Sequence, residues 1–198
     1  MDFKKIISIG FILTCLTQLF IPAKMIIDQE NILQSGTEYK FRTRPVDPND
    51  PFRGKYITLD FEDNVFSIED NDKYNFQRKE SVYLEFTVDQ EGFATIKNVL
   101  KKEPAHPEFL SAEIDYLTEI HSGETELTFE FPFDRYYMEE SKAKPAEETY
   151  REANRDTSQI TYALVHIKNG GAVLKDVVID GKPIKEIVEE NEINKNEN

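Results

Sequence analysis

The chain has 198 residues and a formal net charge of −14 at pH 7, with 24 Lys and Arg against 38 Asp and Glu. That length holds one core-bearing domain of roughly 150 residues plus an appendage. The acidic balance excludes a nucleic-acid binder working through a bulk positive field, because counterion release needs a basic surface. Cys15 is the single cysteine, so an intramolecular disulfide is excluded, and its place in an apolar run leaves the folded domain without a thiol. Trp is absent while 14 Phe and 9 Tyr are present, a composition suited to a sheet-rich core with aromatic cross-strand pairs.

Between Lys5 and Lys24 lie 18 uncharged residues, IISIGFILTCLTQLFIPA. As a helix they span ~27 Å at ~1.5 Å per residue, close to the ~30 Å of a hydrocarbon core. Lys4 and Lys5 ahead of the run place the N-terminus in the cytoplasm and the residues after about Met25 outside. An uncleaved anchor, residues 1–27, is the preferred reading. A cleavable signal with Ile21 and Ala23 at a poor small-residue site, a lipoprotein signal at Cys15 and a buried core helix stand behind it.

Residues 28–185 read as an antiparallel, β-sandwich-like domain, mainly β with one short helix. A helical continuation from Ile26 ends at Gly36, a residue suited to the left-handed position after a helix. Tyr39, Phe41 and Thr43 then alternate with Lys40, Arg42 and Arg44 in the period-two pattern of a half-buried strand. VDPNDPFRG forms a stiff turn, in which each proline fixes its own φ and pushes Asp47 or Asp50 toward extended geometry. In the next strand Ile57, Leu59 and Phe61 share the core face, opposite Tyr56, Thr58 and Asp60. Glu62 to Glu80 is acidic and turn-rich and reads as a surface excursion, with Val65, Phe66 and Ile68 as candidate contacts to the core. Hairpins are expected around DQEG and NGG, with strands at Phe109 to Ile120 and Thr125 to Phe131 between them. Pro145 fits the first turn of a short helix in AEETYREANRD. Residues 186–198, acidic and Asn-rich, are expected to be disordered.

ATIKNVL from Ala94 and AVLKDVV from Ala172 echo each other, each as the second strand of a Gly-turn hairpin. A Pro-Phe corner precedes both hairpins, Pro51-Phe52-Arg53 and Pro132-Phe133-Asp134-Arg135. The echo reads either as an internal duplication or as the shared composition of hairpin strands.

The histidines His106, His121 and His166 are scattered, without the spacing of zinc ligands. Asp47, Asn49 and Asp50, like Glu69 to Asp72, are oxygen-rich but lack an EF-hand pattern. No nucleophile elbow or phosphate loop occurs, and neither a cofactor nor a metal is expected. The remaining candidates are the basic and aromatic corners: Arg42, Arg44, Asp47, Asp50, Phe52, Arg53, Gly54, Tyr56 and Leu59 in the first, and Phe133, Asp134, Arg135, Tyr136 and Tyr137 in the second. Two such corners can clamp an anionic group or carboxylate between Arg and Tyr, or Asp47, Asp50 and Asp134 can pair with the arginines and lock the corners.

Gly54-Lys55-Tyr56-Ile57-Thr58-Leu59-Asp60-Phe61 resembles the signature of the GDYXXLXY family, bacterial membrane-anchored proteins named for that motif. Gly54, Tyr56 and Leu59 match it, while Lys55 replaces Asp and Phe61 replaces Tyr. QLFIP, RTRPVDPNDPFRG, FPFDRYYM and VLKDVVIDGKPI extend the resemblance over nearly the whole chain. It implies no established enzymatic activity and an association with multi-pass membrane proteins. The expectation is therefore a single-pass cell-membrane protein with an extracytoplasmic C-terminal domain, serving as a binding or accessory module for a membrane or envelope partner. It touches lipid through its N-terminal helix, binds no nucleic acid and is not expected to be an enzyme. The alternative is an envelope hydrolase or glycan-binding enzyme.

Overall fold

A computed structural model describes residues 3–45, 56–69, 74–120, 123–156 and 158–196. It opens with α1, Phe3–Ser35, which contains Pro22 and includes a stretch, Ile7–Ser35, long and apolar enough to cross a membrane. Its large apolar residues from Ile7 to Ile27 are exposed, with Phe11 at 69% and Leu19 at 70%, unlike those of a core helix, and Ile32 and Leu33 at its end are partly buried. The helix runs on past Ile27 to Ser35, so a boundary at residue 27 cuts through it.

Gly36 ends α1 by donating its N–H to the Ile32 carbonyl at 2.8 Å. The left-handed conformation expected there is not adopted. Glycine is needed for room instead: a Cβ would stand 2.6 Å from the Ile32 oxygen and 3.0 Å from that of Ile167. Lys168 Nζ reaches back to Ser35 Oγ at 2.6 Å and Asn31 Oδ1 at 3.2 Å, tying the helix end to the domain.

The strands are β1 Thr37–Arg44, β2 Tyr56–Thr58, β3 Asp60–Phe61, β4 Val65–Ile68, β5 Ser81–Val88, β6 Ala94–Leu100, β7 Leu110–Glu119, β8 Thr125–Glu130, β9 Arg135–Tyr137, β10 Thr161–Lys168, β11 Gly171–Ile179 and β12 Lys182–Pro183. They form two five-stranded sheets, ordered β12-β11-β10-β1-β3 and β4-β8-β7-β5-β6, and a short β2-β9 ladder. All the pairings between these strands are antiparallel. The mainly β class with an N-terminal apolar helix is thus as expected. In β1 the alternation holds: Tyr39, Phe41 and Thr43 are buried, with Arg42 and Arg44 on the other face.

Both sheets contribute to one core. Phe41 packs at ring-centroid distances of 5.1 Å from Phe86, 5.5 Å from Phe131 and 5.1 Å from Phe133, and Phe61 lies 5.2 Å from Phe133. Edge and tilted packing of this kind adds about 0.5–1.5 kcal/mol per pair to the burial itself.

The two hairpins interlock. β10 pairs with β1, and β5 pairs with β7, so each hairpin joins the first strand of the other half. The sequence echo has a structural counterpart: Glu85 faces Asn98 and Phe86 faces Ile96, leaving Lys97 bulged, while Leu164 faces Asp176 and Val165 faces Leu174, leaving Lys175 bulged. Both lysines occupy the same place in their echoes. The Asn169-Gly170 and Asp180-Gly181 turns carry φ values of 48° and 81°, then 49° and 80°, as two-residue hairpins with positive φ at both positions require.

Three expectations are corrected. The stretch Glu62 to Glu80 is not wholly a surface excursion, since β4 pairs with β8 and Phe76 is buried at 5% exposure. The short helix is α2, Glu140–Arg155, so Pro145 stands inside it rather than in its first turn. The acidic tail is helical as α3, Ile184–Asn196, because Ile184 and Val188, four residues apart, are fully buried. Lys142 of α2 pins this helix through Glu189 at 2.7 Å.

Candidate functional site

Of the first corner, Asp47, Asp50, Phe52, Arg53 and Gly54 lie outside the described residues, as does Lys55. Those that are described separate into three environments. Leu59, Phe133 and Tyr136 are buried at 3–4% exposure and belong to the core, so none of them faces a ligand. Tyr136 donates its hydroxyl to Asp176 Oδ1 at 2.7 Å. Burial first, then the Asp176 carboxylate, pushes this phenol far above its ordinary pKa.

Arg42 and Arg44 are locked. Arg42 Nη2 lies 2.8 Å from Asp89 and 2.7 Å from Glu91, Nη1 lies 3.5 Å from Asp63, and the guanidinium stacks 4.0 Å above the Phe93 ring. Burial works against its charge, and Asp89 and Glu91 more than offset it. Asp89 is itself fixed, accepting the N–H groups of Glu91 and Phe93 at 2.9 Å each in the DQEG turn. Arg44 Nε meets Asp60 Oδ2 at 2.6 Å across the β1-β3 register. Among the described residues Arg42 and Arg44 are thus held by Asp63, Asp89, Glu91 and Asp60 and not by the acids expected from sequence, of which Asp47 and Asp50 lie outside the described residues.

The third environment is exposed. In the β2-β9 ladder Tyr56 faces Tyr137, Ile57 faces Tyr136 and Thr58 faces Arg135. Alternation sends Ile57 and Tyr136 inward and leaves Tyr56, Arg135 and Tyr137 outside. The Arg135 guanidinium lies 5.1 Å from the Tyr56 ring centroid, and the Tyr56 and Tyr137 rings are 5.5 Å apart. The Tyr137 hydroxyl, followed by Asp134, raises the Arg135 pKa and keeps it charged. Asp134 Oδ2 is 3.8 Å from Arg135 Nε, a loose contact with half-exposed side chains on both sides. The described ends of the two corners thus meet through their short strands, and among the described residues the ladder presents outward one cation, Arg135, beside two phenols.

An open cleft of about 430 Å³ adjoins this ladder, lined by Ser81, Ser111, Glu113, Glu130, Pro132, Asp134 and Arg135. Glu113 and Glu130 are 46% and 65% exposed, and Lys79 reaches both, at 3.0 and 4.0 Å. Among the described residues this cleft therefore carries no buried acid pair of the kind a glycosidase uses. A second cleft, about 320 Å³, has Arg42, Glu91, Phe93 and Asn154 on its walls.

Residues 56–61 of the signature octapeptide now have a geometry. Leu59 and Phe61 point into the core at 3% exposure each, and Tyr56 supplies the outer phenol. Phe61 in place of Tyr suits a site that packs on Phe41, Phe131 and Phe133. A family model described as GDYXXLXY protein matches residues 18–177. The chain belongs to the GDYXXLXY family. No curated protein and no solved structure matches it. The stretch matched by the GDYXXLXY model includes β2 and β9, so outward Tyr56, Arg135 and Tyr137 lie inside the family unit.

Sequence reasoning did not find Asp176, Asp89, Glu91 or Phe93. Asp89 was legible as a turn acid in DQEG. Nothing local points from Tyr136 to Asp176, which lies 40 residues away on β11.

Proposed function

We propose that the protein is a membrane-anchored binding module, held by α1 and contacting a membrane or envelope partner through the β2-β9 ladder. The observation that carries this reading is the state of Arg135. Arg42 and Arg44 are each held by carboxylates from other segments, whereas among the described residues the carboxylate beside Arg135 is its neighbour Asp134, at 3.8 Å. A half-exposed guanidinium flanked by two phenols offers a partner carboxylate a two-pronged donor with apolar walls, and Arg and Tyr are the side chains that dominate such contacts. The −14 charge keeps the domain soluble and selects a partner with a basic surround.

Replacing Arg135 and Tyr137 with Ala should reduce co-purification of a membrane partner about tenfold or more while the melting temperature stays within a few degrees. Unchanged co-purification would remove the ladder from the interface. A reporter fused after Asn198 should behave as extracytoplasmic, and cytoplasmic activity would refute the orientation.

A further inference from the structure

Four polar side chains, Ser8, Thr14, Thr17 and Gln18, interrupt the apolar run of α1. The Thr14 and Thr17 hydroxyls donate to the Gly10 and Leu13 carbonyls at 3.0 Å each, so the helix satisfies them itself. Gln18 is different: its amide has no hydrogen bond among the described residues. Pro22 stands four residues on and has no N–H, so the bond that would end on the Gln18 backbone carbonyl is missing. One level of the helix thus presents an amide and a carbonyl without partners. Counting from Lys5 and Lys24, that level is about 5 Å from the middle of the uncharged run, where unmet polar groups are costly and call for another helix.

Resting on the reading of α1 as a membrane anchor, we infer that α1 pairs with α1 of a second copy of this chain through the face that carries Gln18. At about 100° per residue, Gly10, Thr14, Thr17, Gln18 and Ile21 share one side, and Leu16 and Leu19 lie opposite. A Cβ on Gly10 would meet nothing within 4 Å, so the chain's own packing does not require glycine there, and the position leaves a notch for a neighbour. The amide is self-complementary. Two Gln18 side chains related by a two-fold axis exchange N–H and C=O, and the second N–H of each turns to a carbonyl that Pro22 leaves open. Residues 7–23 carry no charge that would demand an opposite charge, and hence a different sequence, in the partner helix. The acidic domains repel, so the contact belongs to the helix.

The test uses the full chain with Cys15→Ser in phosphatidylcholine vesicles, with single cysteines introduced by Thr14→Cys, Ile21→Cys, Leu16→Cys and Leu19→Cys. Oxidation should join copies through positions 14 and 21 and not through 16 and 19. Adding Gln18→Leu should lower the dimer yield at position 14 about three- to thirtyfold, and Gln18→Asn should restore most of it. Equal yields on both faces, no dimer at any position, or indifference to Gln18→Leu overturns the inference. So does crosslinking in native membranes to a different protein in place of a second copy. Resistance to alkaline carbonate extraction is read in parallel: wild-type chain released by carbonate defeats the anchor reading, whereas chain retained but undimerised defeats only the pairing.

Discussion

Arg42 and Arg135 are the same residue type in related corners, and their surroundings give them different work. Arg42 is only 23% exposed, stacks on Phe93 and holds three acids, so Arg42→Ala removes packing as well as charge and should cost about 1–2 kcal/mol. Arg135→Ala touches a half-exposed side chain and should leave the denaturation midpoint almost unmoved. Tyr136→Phe leaves Asp176 without its phenol donor in a half-buried site and should cost about 1–3 kcal/mol. Chemical denaturation of the three variants checks the order; an Arg135→Ala variant as unstable as Arg42→Ala would make the ladder a structural device.

At the scale of elements, the junction between α1 and β1 is one residue long, and its rigidity rests on Gly36. Gly36→Ala drives a Cβ into the Ile32 and Ile167 carbonyls and should cost about 1–3 kcal/mol. Hydrogen exchange should quicken at the end of α1 and the start of β1 while the β5-β7 amides keep their protection. Unchanged exchange at the junction would mean that the backbone relaxes around the methyl. Period-two alternation made β1, β5, β8 and both hairpins legible from sequence, because each strand has one core face and each turn carries Gly at positive φ. The final helix was not legible: its acid-rich composition hid the apolar pair Ile184 and Val188, which only the packing of α2 and α3 brings into the core. The β2-β9 ladder was equally hidden. Its strands have three residues each, too few to show a period, and β3 and all five strands of the second sheet separate them along the chain. In sequence they are recognisable only as the neighbours of two Pro-Phe corners, and it is the pairing of Ile57 with Tyr136 that brings those corners together.

At the scale of the molecule, charge and pH act together. Lys175 first, then His166, holds the Glu38 carboxyl below its ordinary range, Asn98 and then His106 do so for Glu85, and the Phe93 N–H leads for Asp89. A carboxylate whose folded pKa is depressed contributes stability that is complete above its unfolded value of about 4 and is lost as pH falls through the folded value. Repulsion runs the other way: acidification from pH 7, where the charge is −14, toward the isoelectric point near 4.7 relieves it. The melting temperature should therefore rise slightly from pH 7 to about pH 5 and fall below about pH 4. A rise continuing to about pH 3 would contradict the role of these carboxylates.

The proposed contact runs from the Arg135, Tyr56 and Tyr137 cluster to a partner at the membrane. Site-specific photo-crosslinking in intact membranes tests it most directly, with the photoreactive group replacing Tyr137 on the ladder and, as a control, Tyr116, a similarly exposed tyrosine on β7. A discrete adduct with a membrane protein should form from position 137, be lost on Arg135→Ala and be absent from position 116. Equal labelling from both positions, or an adduct indifferent to Arg135, would contradict it.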